Sequence, residues 1–256
     1  MSNESDEAFK KLEEQYFGAN MHESAEIARL PELLDGVRCF VDVGASLGQY
    51  SYFAAKALDG ARFICVEADP YKAERLRQLA DRWASETGNH FEVVEQAASD
   101  RDETITFFVP ESHLSSGAFF PLSDDEGSWK TCEVPASRLD KILEDVEVDF
   151  IKLDVEGGEY RALVGAEQVL RRRSVRLLLE IAPWGDKERA HKPSDVLDLL
   201  AGFGYGFSIF EDHYLFEKGG SATGRRLRAA LLGFVLDRPG LKRRVKGVFN
   251  RLRGRR

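Results

Sequence analysis

Asp42, Gly44, Ser46 and Gly48 stand two apart in the stretch F-V-D-V-G-A-S-L-G-Q-Y-S, Phe40 to Ser51. A short apolar run ends in glycines and a helical pattern then begins. That order of strand, turn and helix opens nucleotide-type sites at the carboxyl end of a sheet strand. Gly44 permits a tight turn and lets backbone approach a ligand where a Cβ would collide. The spacing is G-x-x-x-G, not the G-x-G-x-x-G of a pyrophosphate loop, and Asp42 would repel a phosphate but attract a cationic amine. Glu67 ends the next apolar run, 19 residues beyond Gly48. An acid there accepts hydrogen bonds from ribose hydroxyls; the plain alternative is a solvated acid or a charge at a helix start.

A ligand with an ammonium group and a ribose, but no phosphate, suits this pair of motifs better than NAD does. S-adenosylmethionine (SAM) is such a ligand. A third group, I-K-L-D-V-E-G-G-E-Y from Ile151 to Tyr160, crowds Asp154, Glu156 and Glu159 where a strand gives way to a helix. Ligands of open α/β sheets bind outside the carboxyl ends of strands, so these acids face the same cleft. There they would favour a sulfonium cation or position a hydroxyl nucleophile, although Glu159 could equally serve the helix N-terminus. Candidate proton acceptors are Asp154, His113 and His191. His213, in a terminal hairpin, is not expected to take part. Glu180 ends L-L-L-E-I and should face the cleft or find a partner. Pro183 and Trp184 could wall an acceptor pocket or simply pack. No metal is expected, because Asp154 and Glu156 are not expected to grip one ion together.

The elements that must position these residues follow from periodicity. Residues 5–35 read as one or two helices, with Phe9, Leu12, Tyr16 and Phe17 at helical spacing. Strands are expected over 38–43, 61–67, 91–97, 104–109, 149–155 and 175–181, with helices over 49–58, 70–86, 136–143, 158–171 and 193–202. Residues 205–211 and 213–217 read as a hairpin around Asp212, and 111–127 as a polar loop. Repeated strand–helix alternation argues for an α/β fold, a mostly parallel sheet with helices on both faces and an antiparallel edge hairpin.

The blocks D-V-G-A-S-L-G-Q-Y-S, V-E-A-D-P, Q-A-A-S-D and I-K-L-D-V-E-G-G-E-Y-R-A-L-V-G-A, followed by L-L-L-E-I, resemble the FkbM family of SAM-dependent methyltransferases. The resemblance covers about residues 38–217, and D-V-E-G-x-E is its most specific part. The family often has Asn where this chain has Ser46. The resemblance implies a Rossmann-like class I methyltransferase fold and O-methylation of a sugar, glycan or other small hydroxylated molecule. It implies that Asp42, Gly44 and Gly48 hold the methionine half of SAM and Glu67 its ribose, with Ser46 also in the cofactor-binding loop. Gln96 to Ser99 would lie along the adenine, with Ala97 backbone against it, and Asp154 under the sulfonium. The rival readings are an NAD-dependent Rossmann oxidoreductase and a non-catalytic scaffold of the same fold.

The chain has 256 residues, 43% hydrophobic and 31% charged, with a net charge of −8. These values suit one large α/β domain over 37–218, with a helical extension over 1–36 and a tail over 219–256. From Ser221 to Arg256, twelve Lys or Arg stand against one acid, so the tail is strongly basic on an acidic body. Its Leu and Phe residues at helical spacing point to an anionic membrane surface or a protein partner, and few aromatic rings disfavour nucleic acid. Three scattered cysteines, no long apolar run and an acidic, polar start read as cytoplasmic, with peripheral attachment at the inner membrane face through the tail.

Overall fold

The computed structural model describes residues 10–11, 13–18, 21, 23–110, 129–172, 175–181, 191–219 and 221–237. The strands are β1 (Cys39–Val43), β2 (Arg62–Glu67), β3 (His90–Glu95), β4 (Ala97–Ser99), β5 (Glu103–Pro110), β6 (Trp129–Arg138), β7 (Phe150–Leu153), β8 (Arg176–Leu179), β9 (Tyr205–Phe210) and β10 (His213–Lys218). The helices are α1 (Ser24–Arg29), α2 (Gln49–Ala55), α3 (Pro70–Thr87), α4 (Leu139–Ile142), α5 (Glu159–Val164), α6 (Glu167–Arg171), α7 (Pro193–Gly202) and α8 (Ala222–Leu236).

β1 and β7 are buried at every position, as parallel strands covered on both faces must be. The main sheet runs β3-β2-β1-β7-β8-β10-β9. Its first five strands are parallel, and β10 pairs antiparallel with β8 and β9. The chain leaves β1 toward β2 on one side and later returns to β7 on the other. The carboxyl ends of β1 and β7 therefore border the switch-point crevice in which such sheets bind ligands.

Period-2 alternation gives the site its floor. Phe40, Phe63 and Phe150 occupy matched positions on neighbouring strands, with Phe40 and Phe150 stacked at 5.2 Å. Two residues further along the same face, the matched positions carry Asp42, Cys65 and Lys152. An aromatic layer thus underlies a polar one. Ile27, Leu30, Leu33 and Leu34 pack on that aromatic layer, so the expected N-terminal extension contributes to the core here.

α3 follows its sequence signals closely. Asp69 caps it through Oδ1, which accepts from Tyr71 N and Lys72 N; Pro70 begins it, and Gly88 closes it at φ 74°.

Several expected elements differ. The third strand stops at Glu95, and Ala97–Ser99 joins a separate sheet of order β4-β6-β5. The helix expected over 136–143 is only Leu139–Ile142, because 129–138 is a ten-residue strand paired with β5. Pro135 inside that run weakens its strand signal. The helix expected over 158–171 breaks into α5 and α6. Gly165 lies between them, where a Cβ would come within 1.9 Å of the Ser99 carbonyl oxygen. The tail's first part, α8, lies against α7: Ala229 and Leu236 enter the main core, and Asp237 Oδ1 accepts from Ser194 N at 3.1 Å. Leu231 of the same helix is exposed. The loop 111–127 and residues 238–256 lie outside the described residues. Among the described residues no helix is long and apolar enough to cross a membrane.

Candidate active site

The glycine turn is held from below. Gly44 and Gly48 adopt φ of 76° and 75°, and Ser46, without a glycine's freedom, sits at φ 51°. A Cβ on Gly44 would lie 1.8 Å from the Asp154 carbonyl oxygen, so only glycine lets the turn lie flat on the end of β7. Asp42 is 2% exposed, and its Oδ2 accepts from Ser51 Oγ at 2.7 Å and Ser51 N at 3.2 Å. That ties the strand end to the third residue of α2. Burial raises its pKa, partly offset by Lys152 and Ser51.

Glu67 accepts from Ser46 N at 2.6 Å through Oε2 and from Asp69 N at 2.8 Å through Oε1. Each oxygen keeps acceptor capacity for a ligand hydroxyl. Burial raises the Glu67 pKa, with Lys72 opposing. Tyr16, from the helical segment 13–17, reaches the same turn: its hydroxyl is 3.3 Å from Ser46 Oγ, and its carbonyl accepts from Gln49 Nε2 at 2.8 Å. Ala97 is buried beside Ala68, next in sequence to Glu67, and pairs with Ala136 of β6.

Beside the turn a row of charges crosses the sheet. Lys152 is 3% exposed, pairs with Asp154 at 2.9 Å and lies 4.7 Å above the Tyr50 ring. Burial works against its charge, but Asp154, Glu23 and Asp42 outweigh that and hold its pKa above the usual lysine range. Glu180 follows β8, and because Tyr214 pairs with Leu179, His213 comes in beside it. His213 is 1% exposed, with Nε2 at 3.3 Å from Tyr50 Oη and 3.5 Å from Glu23 Oε1. Burial, helped by Lys152, lowers its pKa to about 4, so the imidazole is neutral. Burial, then the nearby Asp154, pushes Glu180 up to about 8 despite Lys152.

The expected residues are thus partly gathered. Asp42, Gly44, Ser46, Gly48, Glu67 and Asp154 come together at the carboxyl ends of β1, β2 and β7. Glu156 stands apart from the strand, in a turn at φ 49°, so strand alternation does not govern it. Glu159 is buried and accepts from Gly157 N at 2.8 Å, which fits the helix-start reading. His191 is exposed and stacks on Tyr160 at 3.9 Å. His113, Pro183 and Trp184 lie outside the described residues. The histidine set aside from the sequence, His213, is the one that the hairpin carries into the charge row. Lys152, Tyr50 and Glu23 were also missed. A lysine inside the apolar run D-F-I-K-L-D-V was the available signal for Lys152, whereas nothing local marks Glu23.

The family model described as "Methyltransferase FkbM domain" matches residues 42–207. The chain belongs to the FkbM methyltransferase family. SAM, the cofactor expected from the sequence, is the cofactor of that family. Among curated proteins this family member is similar to the AMB antimetabolite synthetase AmbE of Pseudomonas aeruginosa, 24% identical over an alignment 211 positions long that covers 68% of this chain and 10% of that protein. Among solved structures it is similar to the FkbM methyltransferase of Methylobacillus flagellatus, at 18% identity and TM-score 0.48, covering 80% of this chain and 47% of that one. It is also similar to an O-methyltransferase from Bacillus cereus solved with S-adenosylhomocysteine (SAH), at 12% identity and TM-score 0.45, covering 84% and 90%. The chain therefore spans a tenth of the synthetase and about half of the Methylobacillus protein.

Proposed function

We propose that this FkbM methyltransferase moves a methyl group from SAM to a hydroxyl of a sugar, glycan or other small molecule. The observation that carries the reading is the placement of Asp154. It stands at the end of β7, against Gly44 of the turn, anchored by Lys152. The residues present fit the cofactor. Asp42, Gly44, Ser46 and Gly48 would hold the methionine portion, Glu67 the ribose, and Ala97 would border the adenine. When bound, SAM supplies an electrophilic methyl: the acceptor oxygen–carbon bond forms as the carbon–sulfur bond breaks, and the electron pair stays on sulfur.

The chain's own residues then have three tasks. The turn and Glu67 fix the donor, and such positioning supplies much of the rate of an in-line displacement. The anionic row at Asp154 favours a cationic centre beside it. Asp154 takes the proton that the acceptor hydroxyl must lose. An alcohol is a far weaker acid than a carboxylic acid, so something must also make that hydroxyl more acidic.

The test is calorimetric titration of the purified chain with SAM, SAH and NADH, followed by SAH-release assays over hydroxylated acceptors. Binding of the two sulfur nucleosides and SAH release that requires an acceptor hydroxyl are expected. Absence of SAH binding would sink the reading, and binding without turnover on any acceptor would leave a scaffold of this fold.

A further inference from the structure

Glu23, Glu180 and His213 come from three separate elements: the residue before α1, the end of β8 and the start of β10. One ligand atom from each lies within 4.8 Å of the others. The trio differs from an ordinary surface group of acids in what surrounds it. His213 is 1% exposed, yet its Nε2 has only long contacts, 3.3 Å to Tyr50 Oη and 3.5 Å to Glu23. Its Nδ1 has no partner among the described residues. Only burial and neighbouring charges act on Glu180, with no hydrogen bond among its described interactions. Lys152 is the obvious cation here, but its ammonium is paired with Asp154. Two crowded carboxylates, Glu23 sharing a hydrogen bond with Tyr50, therefore face a buried imidazole, and Lys152 acts on all three only from its pairing with Asp154.

We propose that Glu23, Glu180 and Nε2 of His213 hold a divalent cation of the Mn²⁺, Fe²⁺, Co²⁺ or Zn²⁺ class. Imidazole beside two carboxylates favours these over Mg²⁺ or Ca²⁺, which take oxygen ligands almost exclusively. Ligand atoms about 2.1 Å from a metal lie roughly 3–4.3 Å from each other, so small side-chain adjustments from the observed span suffice. Three protein ligands leave positions open. The sequence expectation of no metal rested on Asp154 and Glu156, and this site uses neither. Its use in catalysis rests on the reading above: an acceptor hydroxyl in an open position becomes more acidic and gives its proton to Asp154 more readily.

The experiment is a titration of the full chain, stripped with EDTA and desalted, with Mn²⁺, following the electron paramagnetic resonance of free Mn²⁺. One bound equivalent per chain is expected. Glu23→Gln and Glu180→Gln should each weaken it at least tenfold, in the range lost when a metal site's supporting groups are removed. SAH affinity and thermal unfolding, measured on the same samples, should stay at parental values and show that both variants are folded. No bound equivalent, or one that survives unchanged in both Gln variants, overturns the proposal. Mn²⁺ binding that needs Glu23 and Glu180 in a chain that ignores SAH would support the cation site while removing the donor reading, so the two fail separately.

Discussion

Lys152→Met removes the one charge that the crevice is built around. The side chain is buried, and its ammonium lies 2.9 Å from Asp154 Oδ2. At that distance and an effective dielectric of about 20, the attraction is roughly 6 kcal/mol. Removing the ammonium also relieves the cost of burying it. The expected net loss is about 3–5 kcal/mol, the range found when one partner of a buried pair is deleted and its counter-charge is stranded. Methionine keeps the volume, so a cavity contributes little. Asp42, already raised by burial, loses the lysine that lowers it and should bind a proton still more readily in the folded chain than in the unfolded one. A folded-state pKa above its unfolded value gives stability that is present at low pH and lost as pH rises. The penalty should therefore be largest near neutral pH and shrink toward pH 5. The assay is urea unfolding of both proteins across that range, in EDTA so that no divalent cation substitutes for the lysine. A double variant with Asp154→Asn should recover much of the loss. A penalty below about 1 kcal/mol, or one that does not change with pH, would refute the reasoning.

Two further outcomes are expected. Gly44→Ala places a Cβ 1.8 Å from a carbonyl oxygen at φ 76°; it should cost roughly 3 kcal/mol or more and abolish SAH binding, as thermal unfolding and calorimetry would show. Arg161→Leu tests the pair that joins α5 to the end of β4: burial opposes the charge of Asp100, but hydrogen bonds from Arg161 and Arg101 prevail and hold it at about 2. A depressed carboxylate stabilises above its unfolded pKa and loses that contribution as pH falls through the folded one, so the variant should be about 2 kcal/mol weaker above pH 4 and converge with the parent near pH 2 in acid unfolding.

The parts of the fold legible in the sequence are those where local signals agree. β1, β2 and α3 carry β-branched runs, a capping Asp, a first-position Pro and a closing Gly, so their limits are met within a residue or two. The turn and its acid at Glu67 were legible because their spacing is itself the signal. Trp129–Arg138 was not, because its pairing with β5 spans a long loop and Pro135 masks the alternation. The His213 side of the site was equally hidden. What matters there is that Tyr214 pairs with Leu179, a register that no local window contains. Charged residues gave the opposite difficulty. Glu23 looks like the many solvated charges of this chain until the fold brings it beside His213, whereas Lys152 and Glu180 stand within or at the end of apolar runs.

The order β8-β10-β9 has a consequence for how the crevice comes into being. β9 is made before β10 but touches β8 only through it, so it cannot extend the growing sheet edge by itself. The two strands must close on each other first and then dock as a unit, or β10 must slide into place with β9 trailing. Either way, Glu23 waits through 189 intervening positions for His213 to arrive beside it. Contacts of such separation form late and slowly. The contact between the glycine turn and Glu67, by contrast, spans only 21 residues, so that half of the proposed donor site could form before Asp154 and the opposite wall are in place.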